Sequence, residues 1–455
     1  GQPDAGDPPP LDRQPGDGGS NAREQAMALL SQAIESCAQD ESEATALFAE
    51  AIALDRQPLF IDTTELVGHK GDVMLGEFVP GGKLVTVADE LLLWQTGEPE
   101  PTRLPGHSDA ITAISLSPSG DRLVTSGYDT TPLVWNLSID NAAQSALPLS
   151  GHGDGVLGTA WHPTEPIVIT TSNDPSIGIW KLGRASDSAP QGTVTESSRI
   201  QTESLMRRGA VAMDAKGRWL ATISDPIGGL RSALAYPWPD LLATLTVPGS
   251  PQPVSVTTAV KARVIRFAGD HDGDATLVVG DDDGAVSLYA LSSPPQLISR
   301  ANAHSTFVEA MGVVSTQNSD IVVTGASDGT VHWWRTGATD EKRSQAFSSV
   351  PISSVDVSSD GRWVVAGSHD GSVWIWDTSG SSENAARLDA GSMVHVVRID
   401  PEGRWLIAGC ADGVVRRWNL CWAKLLALVS PTPIGTEIEG PTKIIDSQPL
   451  ASYRP

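Results

Sequence analysis

An aspartate followed six residues later by a large aromatic recurs along this chain at a period of forty-odd residues: Asp129 and Trp135, Asp174 and Trp180, Asp283 and Tyr289, Asp328 and Trp334, Asp370 and Trp376, Asp412 and Trp418. A spacing kept through otherwise unlike sequence marks one structural unit copied many times, and such periods belong to propellers and solenoids. A repeat therefore organises the 455 residues, and one large closed domain replaces the two or three that length alone suggests. The 44 glycines and 32 prolines suit short strands joined by tight turns.

Charge narrows the partners. A net charge of -24 speaks against non-specific nucleic-acid binding, which needs clustered Lys and Arg to displace counterions from phosphates, and favours solubility and basic partners. No run of eighteen apolar residues is present to span a membrane. Cys37, Cys410 and Cys421 form an odd set without CxxC spacing, which predicts neither a disulfide framework nor a zinc site and points to a reducing, cytoplasmic setting. The chain opens at Gly1 without a methionine, so an upstream effector domain is expected.

Residues 1–20 are Gly-, Pro- and Asp-rich with little to bury, as in a disordered linker or tail. Over 21–56, Ala26, Leu29, Leu30, Ala33 and Cys37, then Ala44, Leu47, Phe48, Ala51 and Ile52, recur at helical spacing. Asn21 with Glu24 and Asp40 with Glu43 read as capping boxes, so an α-helical hairpin is predicted, needing a surface to dock on. The repeats fill 57–430, leaving 431–455 as a C-terminal extension. The clearest copy runs from Gly106 through ITAISLS, a Pro118-Ser119-Gly120 turn, RLVTSG, a turn at Asp129 and PLVWNL, giving at least three antiparallel strands. Asp-Gly turns at Gly284, Gly329, Gly371 and Gly413 supply the positive φ that such hairpins need.

Gly68-His69 with Trp94, Gly106-His107 with Trp135, Gly151-His152 with Trp180, and the terminal dipeptide Trp376-Asp377 make the chain resemble the WD-repeat β-propeller family. The resemblance implies an all-β ring of four-stranded blades. Terminal aromatics at Trp94, Trp135, Trp180, Trp238, Tyr289, Trp334, Trp376 and Trp418 give eight blades, with the family's commoner seven as the alternative. The fourth copy departs from the six-residue rule because Asp225 and the residues after it lengthen its turn, while AYPWPDLLATLTV (235–247) is expected to supply its last two strands. LFIDTTEL (59–66) and AKLLALV (423–429) are both candidates for the strand that closes the ring. Arg in preference to Lys and heavy Ala and Asp usage are compatible with a GC-rich bacterial genome, where the resemblance implies the C-terminal sensing part of a larger signalling protein.

His107, Ser126 and Asp129 look like a catalytic triad, but His152, Thr171, Asp174 and Trp180, and again His304, Thr324, Asp328 and Trp334, repeat the set that Trp135 completes. An enzyme needs one site. The resemblance makes these sets intrablade hydrogen-bond networks, in which buried polar groups satisfy one another. Asp270, Asp272, Asp274 and Asp281 space oxygen ligands like a calcium loop, although Ala275 stands where glycine is expected, and no other cofactor is implied. Trp333 and Trp374 are candidate contact residues. In the family the residue before each turn aspartate lies on the rim that meets peptides, which by position gives Tyr128, Asn173, Asp282, Ser327, His369 and Ala411. The function expected is a non-catalytic module presenting this rim to a protein or peptide, with the acidic charge favouring a basic one. The alternatives are an architectural subunit and a metal-dependent hydrolase built on the inner strands. For the hydrolase, the candidate inner strands such as ITAIS, LGTAW, ISSVDVS and HVVRID offer only Asp356, Asp400 and His395 as carboxylates or histidines, and these share no repeat position.

Overall fold

The computed structural model describes residues 18–37, 39–54, 63–95, 98, 100–183, 192–202, 206–224, 232–243, 254–256, 261–269, 275–292, 294–316, 319–336, 343–346, 350–379 and 385–429. The predicted linker before residue 18, the extension after 429 and the Asp270 to Asp274 turn lie outside these residues.

Among the described residues, eight antiparallel sheets of four strands each build a ring. Their innermost strands touch in sequence order, and Leu75–Val79 of the first blade meets Val394–Ile399 of the last, so the ring closes with eight blades and not seven. Thr63–Val67 completes the eighth blade by pairing with Val414–Asn419, Thr63 opposite Trp418 and Val67 opposite Val414. The N-terminal strand thus joins the two ends of the chain. AKLLALV does not take that place. It belongs to helix α4 (Leu420–Val429), which starts where the Asn419 side chain accepts the Trp422 amide at 3.1 Å. An apolar run this short fits a strand or a buried helix equally well, and the cap decides.

The turn aspartates show why the six-residue spacing is strict. Asp328, Asp370 and Asp412 each accept the amide two residues on, at 3.0, 2.9 and 3.1 Å, holding the turn into the blade's third strand. The glycines of all four Asp-Gly turns have φ between +76° and +84°. At Gly284 a Cβ would also collide with the carbonyls of His304 and Thr306, so glycine is required twice over.

The fourth blade corrects two expectations. After Ser232–Pro237 the chain turns into helix α3 (Trp238–Ala243) before a short outer strand, Val254–Ser255, where two consecutive strands were expected. Pro239 in the first helical turn costs nothing, since its missing N–H has no partner there anyway. Tyr236 stands opposite Leu220 as Trp135 stands opposite Leu123, so Tyr236, and not Trp238, is this blade's terminal aromatic. Trp238 packs its ring against His162 of the neighbouring blade, 5.4 Å between centroids.

The helical hairpin is α1 (Gly18–Ser36) and α2 (Glu41–Leu54). Asp40 caps α2, its Oδ1 accepting the amides of Ser42 and Glu43 at 3.0 Å. Asn21 is no cap, because α1 begins three residues earlier and Asn21 falls inside its first turn. Leu30, Ala33, Ala44, Phe48 and Ala51 join one apolar cluster with Trp422, Leu425 and Leu426 of α4 and with Trp363 and Leu388 of the seventh blade. Arg362 ties the two parts, binding Glu41 through both oxygens at 2.6 and 2.7 Å and Asp377 at 2.6 Å. A disulfide joins Cys37 to Cys421, Cα to Cα 6.2 Å, which overturns the expectation of no disulfide and with it the cysteine argument for a reducing compartment. The partners are 384 residues apart and meet only because the hairpin docks on α4, which no local spacing reveals.

Candidate functional site

The repeated polar sets are blade scaffolding, with the hydroxyl corrected in the second and third blades. In the second blade His107 Nδ1 meets Asp129 Oδ2 at 2.8 Å and Nε2 meets Thr125 Oγ1 at 2.7 Å, while Trp135 Nε1 donates to the same hydroxyl at 3.1 Å. The hydroxyl is Thr125 and not Ser126, which faces away and bonds Thr112 at 2.9 Å. In the third blade it is Thr170 and not Thr171, 2.7 Å from His152 Nε2 and 2.9 Å from Trp180 Nε1. In the sixth blade His304 meets Thr324 at 2.8 Å, and Asp328, 3.6 Å from the ring, is joined to it through Thr330. His69, Thr86 and Trp94 form the same relay in the first blade, at 2.7 Å for both bonds. A carboxylate only accepts, so Nδ1 of His107 donates; with one ring proton, Nε2 then accepts the threonine hydroxyl, and the indole N–H completes the chain. Ser126 lies on the other face of its strand, so no triad exists.

These networks carry a pH signature. Burial, with Arg103 nearby, pulls His69 down to about 4, and burial also lowers His152. The neutral ring is the folded form, so the His69 contribution is complete above pH 6.5 and is lost as pH falls towards 4. Burial opposes ionisation of Asp328, but hydrogen bonds from Thr330 and Ser305 hold it down to about 2, below that window. Urea unfolding should therefore show stability falling by up to about 1.4 kcal/mol per pH unit for each such histidine below pH 6.5, and His69→Gln should flatten the profile. An unchanged profile in that variant would contradict the burial argument.

The other candidates separate. Trp333 is 3% exposed and packs on Trp376 at 5.3 Å, so it is core and not a contact residue. Trp374 is half-buried against the same cluster. Asp281 is the last residue of the strand Thr276–Asp281. Its carboxylate holds the Asp283 and Ala285 amides at 3.0 and 2.9 Å and Arg300 at 3.0 Å, while the other calcium-loop candidates, Asp270, Asp272 and Asp274, lie outside the described residues. It takes over the turn-holding task in the fifth blade.

The rim positions are equivalent in space. The backbone amides of Tyr128, Asn173, Asp282, His369 and Ala411 donate to Ala110, Gly155, Lys261, Pro351 and Met393, each in the loop that enters the same blade. Main-chain ties hold these residues, so their side chains stand on a rigid collar. Tyr128 is 43% exposed and lies over Gly155, where a Cβ would reach within 2.7 Å of its ring. Ser327 is half-buried.

Around the mouth of the channel an arc crosses five blades. Arg263 bonds Glu309 at 2.6 Å, lies 3.5 Å from Asp282 and covers the Phe307 ring at 3.9 Å. The His369 and His395 rings stand 6.3 Å apart, and His395 contacts Asp72 at 3.2 Å.

Deeper in the channel is a ring of side chains that the sequence reading did not assemble. Glu77, Arg266, Asp356 and Arg398 stand opposite Val85, Val278, Val365 and Ile407, one shared register position on the inner strands of the first, fifth, seventh and eighth blades. Ser115, Ala160, Ala212 and Gly312 fill that position elsewhere. Arg398 lies 3.6 Å from Glu77, and Asp356 accepts the Ile399 amide at 2.8 Å. Enclosure raises both carboxyls above the usual range against the pull of Arg398. The two guanidinium and two carboxylate groups balance. Asp400 is engaged by Arg404 at 2.7 Å and His395 by Asp72, so the hydrolase candidates have separate partners; among the described residues no three metal-ligating side chains gather.

The WD domain, G-beta repeat family model matches five stretches, 98–136, 144–181, 296–335, 343–377 and 387–419. A bromodomain and WD repeat-containing protein of Dictyostelium discoideum is 25% identical over 61% of this chain and 13% of its own length. The eukaryotic translation initiation factor 3 subunit I of Debaryomyces hansenii is 25% identical over 45% of this chain and 54% of its own length. The chain thus spans about half or less of these relatives. Among solved structures, Chaetomium thermophilum Sqt1 bound to the N-terminus of the ribosomal protein L10 has a TM-score of 0.61 at 19% identity, covering 78% of this chain and 98% of that one. The computationally designed Ika8 protein has a TM-score of 0.58 at 19% identity, with the same coverage. The chain carries WD40 repeats on an eight-bladed propeller.

Proposed function

We propose that this eight-bladed ring is a non-catalytic interaction platform whose rim holds a protein or peptide segment. The observation that carries the reading is the collar: five rim residues from five blades, each fixed by the same main-chain bond, present Tyr, Asn, Asp and His side chains around one opening. Rigid side chains lose little entropy on binding, and an exposed tyrosine at the collar is the kind of anchor that dominates interfaces. Asp72, Asp282 and Glu309 at the mouth and the net charge of -24 favour a basic segment. Sqt1, of like fold, is described as bound to the N-terminus of a ribosomal protein. The finer reading couples the platform, through the docked hairpin, to an upstream effector.

Affinity capture with the doubly substituted Tyr128→Ala, His369→Ala chain tests the assignment. Recovery of partners should fall about tenfold or more, while Leu297→Ala with Ile298→Ala, on the exposed outer strand of the fifth blade, should leave it unchanged. Full recovery with the rim variant, or loss with the outer-strand control, would sink the reading.

A further inference from the structure

We propose that the Cys37–Cys421 disulfide is an exchangeable latch, opened by a dithiol reductant, that controls whether the helical hairpin stays docked on the ring. The bond joins the residue just past the end of α1 to the first turn of α4, and both cysteines are partly buried at the edge of the hairpin cluster and not sealed inside it. The third cysteine cannot substitute. Cys410 is fully buried in the eighth blade, and burial pushes its thiol up to about 11, leaving almost no thiolate to exchange.

What the latch secures is separable from the blades. The hairpin adds no strand to any sheet and rests on α4 through Leu30, Ala33, Ala44, Phe48 and Ala51. Its ion pair to the ring, Glu41 with Arg362, is bidentate but exposed on the hairpin side, so solvent screens it. The eight sheets close without the hairpin, because the closing strand begins only at Thr63. Cleavage of the disulfide therefore loosens one layer and leaves the other intact.

The chemistry balances within the pair. A thiolate of the dithiol attacks one sulfur of the cystine, and the other leaves as a thiolate and takes up a proton. The second thiol of the reductant then displaces the remaining cysteine, so two electrons and two protons pass to Cys37 and Cys421 and the reductant departs as its own disulfide. Release bares the apolar face of α4 around Trp422, Leu425 and Leu426.

Hydrogen exchange on the full chain, with and without dithiothreitol, reads the latch by segment. Exchange over 18–54 should quicken about tenfold or more on reduction and recover on reoxidation, while the blade strands keep their protection. Cys37→Ser and Cys421→Ser should each show the fast hairpin without reductant, and Cys410→Ala should still respond to it. Equal hairpin protection with and without reductant would overturn the proposal. So would loss of blade protection together with the hairpin, or three titratable thiols in the unreduced protein. The reductant arm on the unaltered chain decides the matter even where a serine variant fails to fold.

Discussion

Deleting residues 1–67 is expected to cost about 3–5 kcal/mol more than deleting residues 1–56, because only the longer deletion opens the ring. The shorter one removes the hairpin and leaves Thr63–Val67 in place. The longer one also removes the strand whose five residues register with Val414 to Trp418, stripping the eighth blade of its outer hydrogen-bond ladder. That strand is largely exposed, with Val67 at 66%, so it contributes mainly backbone bonds, each worth about 0.5–1.5 kcal/mol net. Opening has a second consequence. Val414–Asn419 becomes a bare edge, and edges recruit other chains. Urea midpoints should separate the two deletions, and size-exclusion should show the longer one self-associating. Equal midpoints would mean that the ends of the ring hold without their shared strand.

Thr125→Val is expected to destabilise the fold by about 2–6 kcal/mol, against about 1 kcal/mol for Ser126→Ala. The valine keeps the shape of threonine but leaves two buried groups, His107 Nε2 and Trp135 Nε1, without their shared partner, and each orphan costs about 1–3 kcal/mol. Ser126 gives up only its bond to Thr112. Denaturant unfolding of the two variants measures the difference. The reverse order would place the blade's hydroxyl at Ser126 after all.

That contrast also shows where sequence reasoning reached and where it stopped. The turn aspartates and terminal aromatics are legible because each blade repeats the same local bonds, and they identify seven of the eight blades' aromatics correctly. In the second and third blades the expected hydroxyl is off by one residue, which in a strand means the opposite face, whereas Thr324 of the sixth blade is the bonded one. The correcting signal was present: Thr324 precedes Asp328 by four, as Thr125 precedes Asp129 and Thr170 precedes Asp174. Likewise Trp219 leads into Leu220, whose partner is Tyr236, but the long turn hides that register from spacing alone. The disulfide and the channel ring are different in kind. Cys37 with Cys421, and Glu77 with Arg398, meet only through ring closure and helix docking, so no window of sequence contains the pair. The rim residues were named by position, and their common backbone tie appears only in three dimensions.

The platform reading is tested most directly by the footprint of a captured partner, read as hydrogen-exchange or hydroxyl-radical protection across the ring. It predicts protection at Tyr128, Asn173, Asp282, Ser327 and His369 and at the mouth residues Asp72 and Glu309, with the outer strand Gln296–Asn302 unchanged. Protection confined to outer strands or to the hairpin, with the collar still exposed, would contradict it.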